Sequence, residues 1–149
     1  MVMNKKLLLR WFLLALFISF DNIYSYIAIV YHGMREWNKI TAFLVNINPL
    51  FYFVSIPLTI LFIYSLIKLS VFLTMKFEKS SQKMREMTEK IILTSIMIAW
   101  GIGVTLFNLI TLLNGFSNPG IRYEIVLATG IITAIIYGIY TGYKIKRKK

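Results

Sequence analysis

Asp21 is the residue whose type and place most invite chemistry. It stands ten residues from either end of an apolar run over 11–31. An ionisable group at mid-membrane depth costs roughly 2.5–3.5 kcal/mol even on the lenient insertion scale, so such a group is paired, protonated or used. The pairing expected here is with Lys68, the basic residue within the second apolar segment. Counted along helices, Asp21 lies about 15 Å and Lys68 about 10 Å from the same boundary, a difference that a lysine stem covers. Asn22, Tyr24 and Ser25 are additional hydrogen-bond partners within reach. Two other states stay open. Lys68 can snorkel to the headgroups without a partner, and Asp21 can be a neutral acid hydrogen-bonded inside a bundle. The functional alternative is a proton or cation relay, but a relay needs more than one ionisable station and no second acid lies at mid-depth. Asn108 is a polar neighbour for such a group, or the donor of a helix–helix hydrogen bond.

His32 and Glu36 form a second candidate set, with Asn38 beside them. A spacing of i, i+4 puts two metal ligands on one face of a helix. Gly33 interrupts that helix, however, and a solvated loop is the plainer reading. With one histidine and no cysteine in the chain, a metal site here needs ligands from another subunit. A catalytic triad, a phosphate-cradling glycine loop and a close pair of acids are missing from the pattern, so neither an enzyme nor a cofactor is expected.

The elements that must position these residues are helices in a bilayer. The chain is 58% hydrophobic and only 15% charged, with a mean hydropathy of +0.69, which describes an integral membrane protein. About 20 apolar residues cross about 30 Å of hydrocarbon, and the segments 11–31, 50–75, 91–113 and 125–143 qualify. The fold class expected is all-α: a single bundle of four transmembrane helices over 1–149. The amino terminus resembles a signal peptide but lacks a small-residue cleavage site, so it reads as a retained first span. The apolar stretch 40–75 is too long for one crossing. Asn46, Asn48 and Pro49 supply the break, which leaves 40–45 as a short interfacial or re-entrant segment before the second span. Pro57 is expected to bend that span.

Charge sets the orientation. Thirteen of seventeen basic residues, from Lys5, Lys6 and Arg10 through the 76–90 segment to the carboxyl terminus, share one side. The positive-inside rule puts both termini and the central loop in the cytoplasm of a prokaryotic plasma membrane. Tyr31, Trp37, Tyr52 and Tyr123 mark the outer interface; Trp11 and Tyr143 mark the inner one. The net charge of +11 follows from this topology and does not point to nucleic acid. Residues 76–90 read either as a solvated loop or as a helical extension stabilised by a Glu86–Lys90 pair, able to attract anionic lipid at the inner face.

Small residues recur every four positions at Gly130, Ala134, Gly138 and Gly142, and at Ser95, Ala99 and Gly103. In lipid such strips mark close helix–helix contact. Packing of the third span on the fourth, through a turn at Asn118, Pro119 and Gly120, is the simplest expectation, and self-association or another subunit is the alternative.

Phe20-Asp21-Asn22, followed by Gly33-Met34-Arg35-Glu36-Trp37-Asn38 and by Lys68 late in the second span, resembles a family of small prokaryotic, often archaeal, four-helix membrane proteins of unknown function. Their pattern is an intramembrane Asp, then G-x-x-E-x-N-P, then a second-span Lys; Lys39 stands here in place of the proline. The resemblance implies that Asp21, Glu36, Asn38 and Lys68 act as a set, without assigning an activity.

The function expected from these features is a non-catalytic accessory or scaffolding subunit of a larger membrane assembly, with lipid and other subunits as partners. The alternative is a homo-oligomeric transporter or channel in which Asp21 from several copies lines a pathway. An enzyme acting on lipid or quinone through His32 and Glu36 ranks last.

Overall fold

The computed structural model describes residues 5–36, 38–78, 82–117, 120 and 122–146. Trp37, Lys79, the Asn118-Pro119 part of the expected turn and Arg147, Lys148 and Lys149 lie outside them. Within these residues the chain is all-helical: α1 (Lys5–Val30), α2 (Lys39–Ile47), α3 (Phe51–Glu78), α4 (Gln82–Trp100), a π-helical turn (Gly101–Thr105), α5 (Leu106–Leu113) and α6 (Tyr123–Lys146). Four helical stretches are long and apolar enough to cross a membrane: Lys5–Val30, Phe51–Lys76, Met84–Leu113 and Tyr123–Lys144. Each of the four expected spans has its helix, and at their basic ends the helices run further than the apolar segments. Their ends carry lysines and glutamates, which favour helix as well as leucine does.

Local chemistry fixes the breaks. Gly33, at φ +64°, ends α1: its N–H reaches the Ile29 carbonyl at 3.2 Å and the Met34 N–H reaches the Ala28 carbonyl at 3.0 Å, a helix stop that needs a left-handed residue. Asn38 then caps α2, its Oδ1 accepting the N–H of Ile40 at 3.0 Å and of Thr41 at 3.3 Å. Asn48 closes α2 and its Oδ1 accepts the Leu50 N–H at 2.9 Å. The expected interfacial segment is therefore a short helix with caps of its own. Pro57 lies within a continuous α3.

Two kinds of packing hold the bundle. Towards the end that carries the termini, Leu14 and Ile18 of α1 meet Ile63, Ile67 and Val71 of α3 and Leu93 of α4 in a buried cluster. The i, i+4 spacing of these residues stacks them on one stripe of each helix. Between α4, the π turn and α6 the contact is backbone on backbone. A Cβ placed on Gly130 would stand 2.6 Å from the Gly103 nitrogen and 2.8 Å from the Ala99 carbonyl oxygen; one on Gly138 would stand 3.3 Å from Ser95 Oγ. The two small-residue strips thus face each other within one chain, with Ala134 buried between them. Gly142 meets nothing within 4 Å. Outward faces are apolar, including Leu58, Leu61, Phe62 and Phe72 of α3 and Ile132, Ile136 and Ile139 of α6.

Candidate functional site

A cavity of about 390 Å³ opens between α1, α3, the α4–α5 helix and the 31–41 connection. Its lining is polar for a bundle interior. Asp21 comes from α1, Tyr52 from the first turn of α3, Asn108 from α5, and Arg35, Glu36 and Asn38 from the connection. Asn108 and Tyr52 are buried, whereas Arg35 and Asn38 are exposed and stand at the mouth.

Asp21 is held by an amide. Asn108 Nδ2 donates to Asp21 Oδ1 at 2.7 Å, and no described cation pairs with the carboxylate. The expected Asp21–Lys68 pair does not form, for reasons of height and facing. Asn22, next to Asp21, meets Ser55 of α3, and Lys68 lies thirteen residues further along that helix, roughly 18 Å away at 1.5 Å per residue. That exceeds what a lysine stem spans. Lys68 Nζ instead meets Glu89 Oε1 of α4 at 2.8 Å, with side chains 32% and 8% exposed, and lies 5.2 Å from the Tyr64 ring centroid. Glu89 was unforeseen because 76–90 reads equally well as a solvated loop; with α4 beginning at Gln82, it lies two turns inside the helix and is buried. The expected Glu86–Lys90 pair is absent among the described residues, and both side chains are exposed.

None of the other expected partners is hydrogen-bonded to Asp21 among the described residues. Asn22 Nδ2 donates to the Ile18 carbonyl at 2.8 Å and its Oδ1 accepts the Ser55 hydroxyl. The Tyr24 hydroxyl is 3.9 Å from Met34 Sδ. Ser25 lines the cavity.

Glu36 is the second carboxylate of the cavity, and it too is held by neutral donors. The Tyr52 hydroxyl donates to Oε2 and the Asn38 N–H to Oε1 at 2.9 Å. Tyr52 was expected among interfacial aromatics but is 2% exposed, and nothing in sequence marks a tyrosine as the partner of an acid sixteen residues away. The Gly33, Glu36 and Asn38 positions thereby acquire distinct roles: one stops α1, one builds the cavity wall, one starts α2.

His32 and Glu36 are not ligands on one helical face. The connection is irregular here, and His32 stacks on Phe116 at 3.8 Å between centroids with the planes at 14°. Phe116 also stacks on Tyr24 at 5.7 Å and holds a left-handed backbone, φ +61°, a conformation costly for a bulky residue. No group of three potential metal ligands gathers among the described residues.

No family profile, curated protein or solved structure matches the chain. The site therefore rests on its own geometry. Two carboxylates held by an amide, a phenol and a backbone N–H share a cavity with the aromatic side chains of Tyr24, Trp100, Phe107 and Tyr123. The buried indole Nε1 of Trp100 has no hydrogen-bond partner among the described residues. Among the described residues neither carboxylate has a cation partner, and the π faces around them suit one.

Proposed function

We propose that the chain is a multi-pass membrane protein that binds a small cationic ligand inside its own bundle, with Asp21 as the counter-charge. The observation that carries this reading is the Asp21 carboxylate at a cavity of about 390 Å³ with the Asn108 amide, and no cation, as its hydrogen-bonded partner. A carboxylate at mid-depth of a helix bundle keeps its place where something compensates it, and a bound cation does so. Thirteen of seventeen basic residues at the terminal side support cytoplasmic termini. The cavity then belongs to the external half of a cell membrane protein. Because Asp21 turns to Asn108 of the same chain, a pathway through it would run within one bundle rather than between copies.

The test is binding of ethanolamine and choline to the full chain in nanodiscs, read by calorimetry and thermal shift. Saturable binding that Asp21→Asn abolishes supports the reading; binding that survives the substitution, or no binding at all, overturns it.

A second reading, an accessory or scaffolding subunit, is favoured by Gly142, the rung of the α6 ladder that meets nothing within 4 Å. Native mass spectrometry of the protein extracted from its own membrane separates the two. Unrelated subunits at fixed stoichiometry would support the scaffold, and a single copy carrying a small ligand would support the binding protein.

A further inference from the structure

We infer that the ligand is a zwitterion, its ammonium end at Asp21 and its anionic end at Arg35. The inference rests on the cation-binding reading above and adds the second half of the ligand. Arg35 lines the mouth of the cavity and also an adjoining groove of about 590 Å³ that Lys39 and Asn46 share. Among the described residues neither Arg35 nor Lys39 has an ion pair. Glu36, the neighbour that would neutralise Arg35, has both oxygens engaged, by the Asn38 N–H and the Tyr52 hydroxyl. Among the described residues no acceptor meets the guanidinium, and its five N–H donors can take one from a ligand.

Charge order along the cavity is what selects the ligand. Acceptors without a cation lie deep, at Asp21, and a cation without an acceptor lies at the surface, at Arg35. A ligand that is only a cation would be drawn to Asp21 but repelled at the mouth by Arg35 and Lys39. A ligand that is only an anion would be held at the mouth and excluded by Asp21 and Glu36. A molecule with an ammonium group at one end and a carboxylate or phosphate at the other satisfies both, and planar guanidinium matches either anion bidentately. The same chemistry comes from a free solute or from the headgroup of an aminophospholipid in the surrounding leaflet.

The experiment uses the full chain in detergent and three probes: ethanolamine, glycerophosphoethanolamine and glycerol 3-phosphate. Glycerophosphoethanolamine is expected to bind about tenfold tighter than ethanolamine, the effect of one charge-assisted hydrogen bond. Arg35→Gln is expected to bring that ratio to about one and to tighten ethanolamine binding by relieving repulsion, while Arg35→Lys keeps part of the preference. Asp21→Asn is expected to lose both amines. Equal affinities for the two amines in the unaltered protein, a ratio that survives Arg35→Gln, or tightest binding of glycerol 3-phosphate overturns the zwitterion. Ethanolamine binding that depends on Asp21 with no advantage for the zwitterion refutes this inference alone; no Asp21-dependent binding refutes the underlying reading as well. Repeating the titration in nanodiscs assigns the source: phosphatidylethanolamine that competes with the soluble probe, where phosphatidylglycerol does not, identifies a lipid headgroup, and equal titrations identify a free solute.

Discussion

Asn108 Nδ2 donates a 2.7 Å hydrogen bond to Asp21 Oδ1, tying α5 to α1 across 87 positions of sequence. Among the described residues this amide is the hydrogen-bond partner of the acid, and an amide supplies direction without charge. A cation in its place would satisfy the carboxylate and close the site. The amide holds Asp21 in position without pairing it to a cation.

The bond is measurable as a coupling. Asp21→Asn and Asn108→Leu, singly and together, form a double-mutant cycle on thermal or denaturant unfolding in detergent. A coupling of about 0.5–2 kcal/mol is expected, the range found for polar contacts between membrane helices. Additivity would show that the two side chains do not meet.

The Lys68–Glu89 pair should be asymmetric. Glu89 is the more buried partner, 8% exposed against 32% for Lys68. Lys68→Met strands a carboxylate against α3, whereas Glu89→Gln leaves a lysine free to snorkel. Breaking a fully buried pair costs about 3–5 kcal/mol. The loss expected for Lys68→Met is therefore about 2–4 kcal/mol, the discount reflecting the exposure of Lys68, with Glu89→Gln clearly smaller. The double variant should be milder than the sum. Asp21→Asn combined with Lys68→Met should be additive, since those residues do not touch. Equal single losses, or coupling between Asp21 and Lys68, would contradict this arrangement.

What the sequence revealed and concealed follows from what one dimension encodes. Run length and breakers located four helices, and Asn48-Pro49 with Gly33 located the breaks between them, because those signals are local. Depth was legible only in part: it made Asp21 stand out at mid-span, but it placed Lys68 within reach of Asp21, which the structure does not. Direction around a helix was not legible. Helices that are apolar on every side give no stripe to orient them, so Asp21 could not be aimed at Asn108 rather than Lys68. Glu89 was concealed differently: its surroundings are charged, and only the start of α4 at Gln82 shows that it is buried. Tyr52 reads only as an interfacial aromatic, and Phe116 carries no signal, until tertiary contacts place them.

Gly130 and Gly142 belong to one strip and should behave oppositely. A methyl on Gly130 would meet Gly103 and Ala99 backbone below 3 Å, and backbone cannot step aside. Gly130→Ala is expected to lower stability by about 1–3 kcal/mol, the usual effect of overpacking. Gly142→Ala meets open space and should be neutral or stabilising by about 0.5–1 kcal/mol through helix propensity. Thermal unfolding in detergent reads both. A Gly142→Leu variant adds a test of the scaffold: unchanged bundle stability with loss of a co-purifying partner would place that partner on α6.

The π-helical turn at Gly101–Thr105 offers the sharpest separation of stability from function. Single π turns inside α-helices occur often at functional sites. This one adjoins the cavity through Trp100 and Val104 and ends at Thr105, whose buried hydroxyl has no partner among the described residues. A π turn accommodates one residue more than an α turn, so deleting Thr105 should restore a continuous α-helix from α4 into α5 without changing the phase of either. The Gly103–Gly130 contact and the facing of Asn108 would be kept, and an unsatisfied buried hydroxyl, worth about 1–3 kcal/mol when left orphaned, would be gone. The deletion variant is expected to unfold at the same temperature as the unaltered protein or higher, yet to bind ethanolamine at least tenfold more weakly because the cavity wall at Val104 is redrawn. Loss of stability together with binding would mean that the wide turn is structural; retained stability with retained binding would remove the π turn from the site.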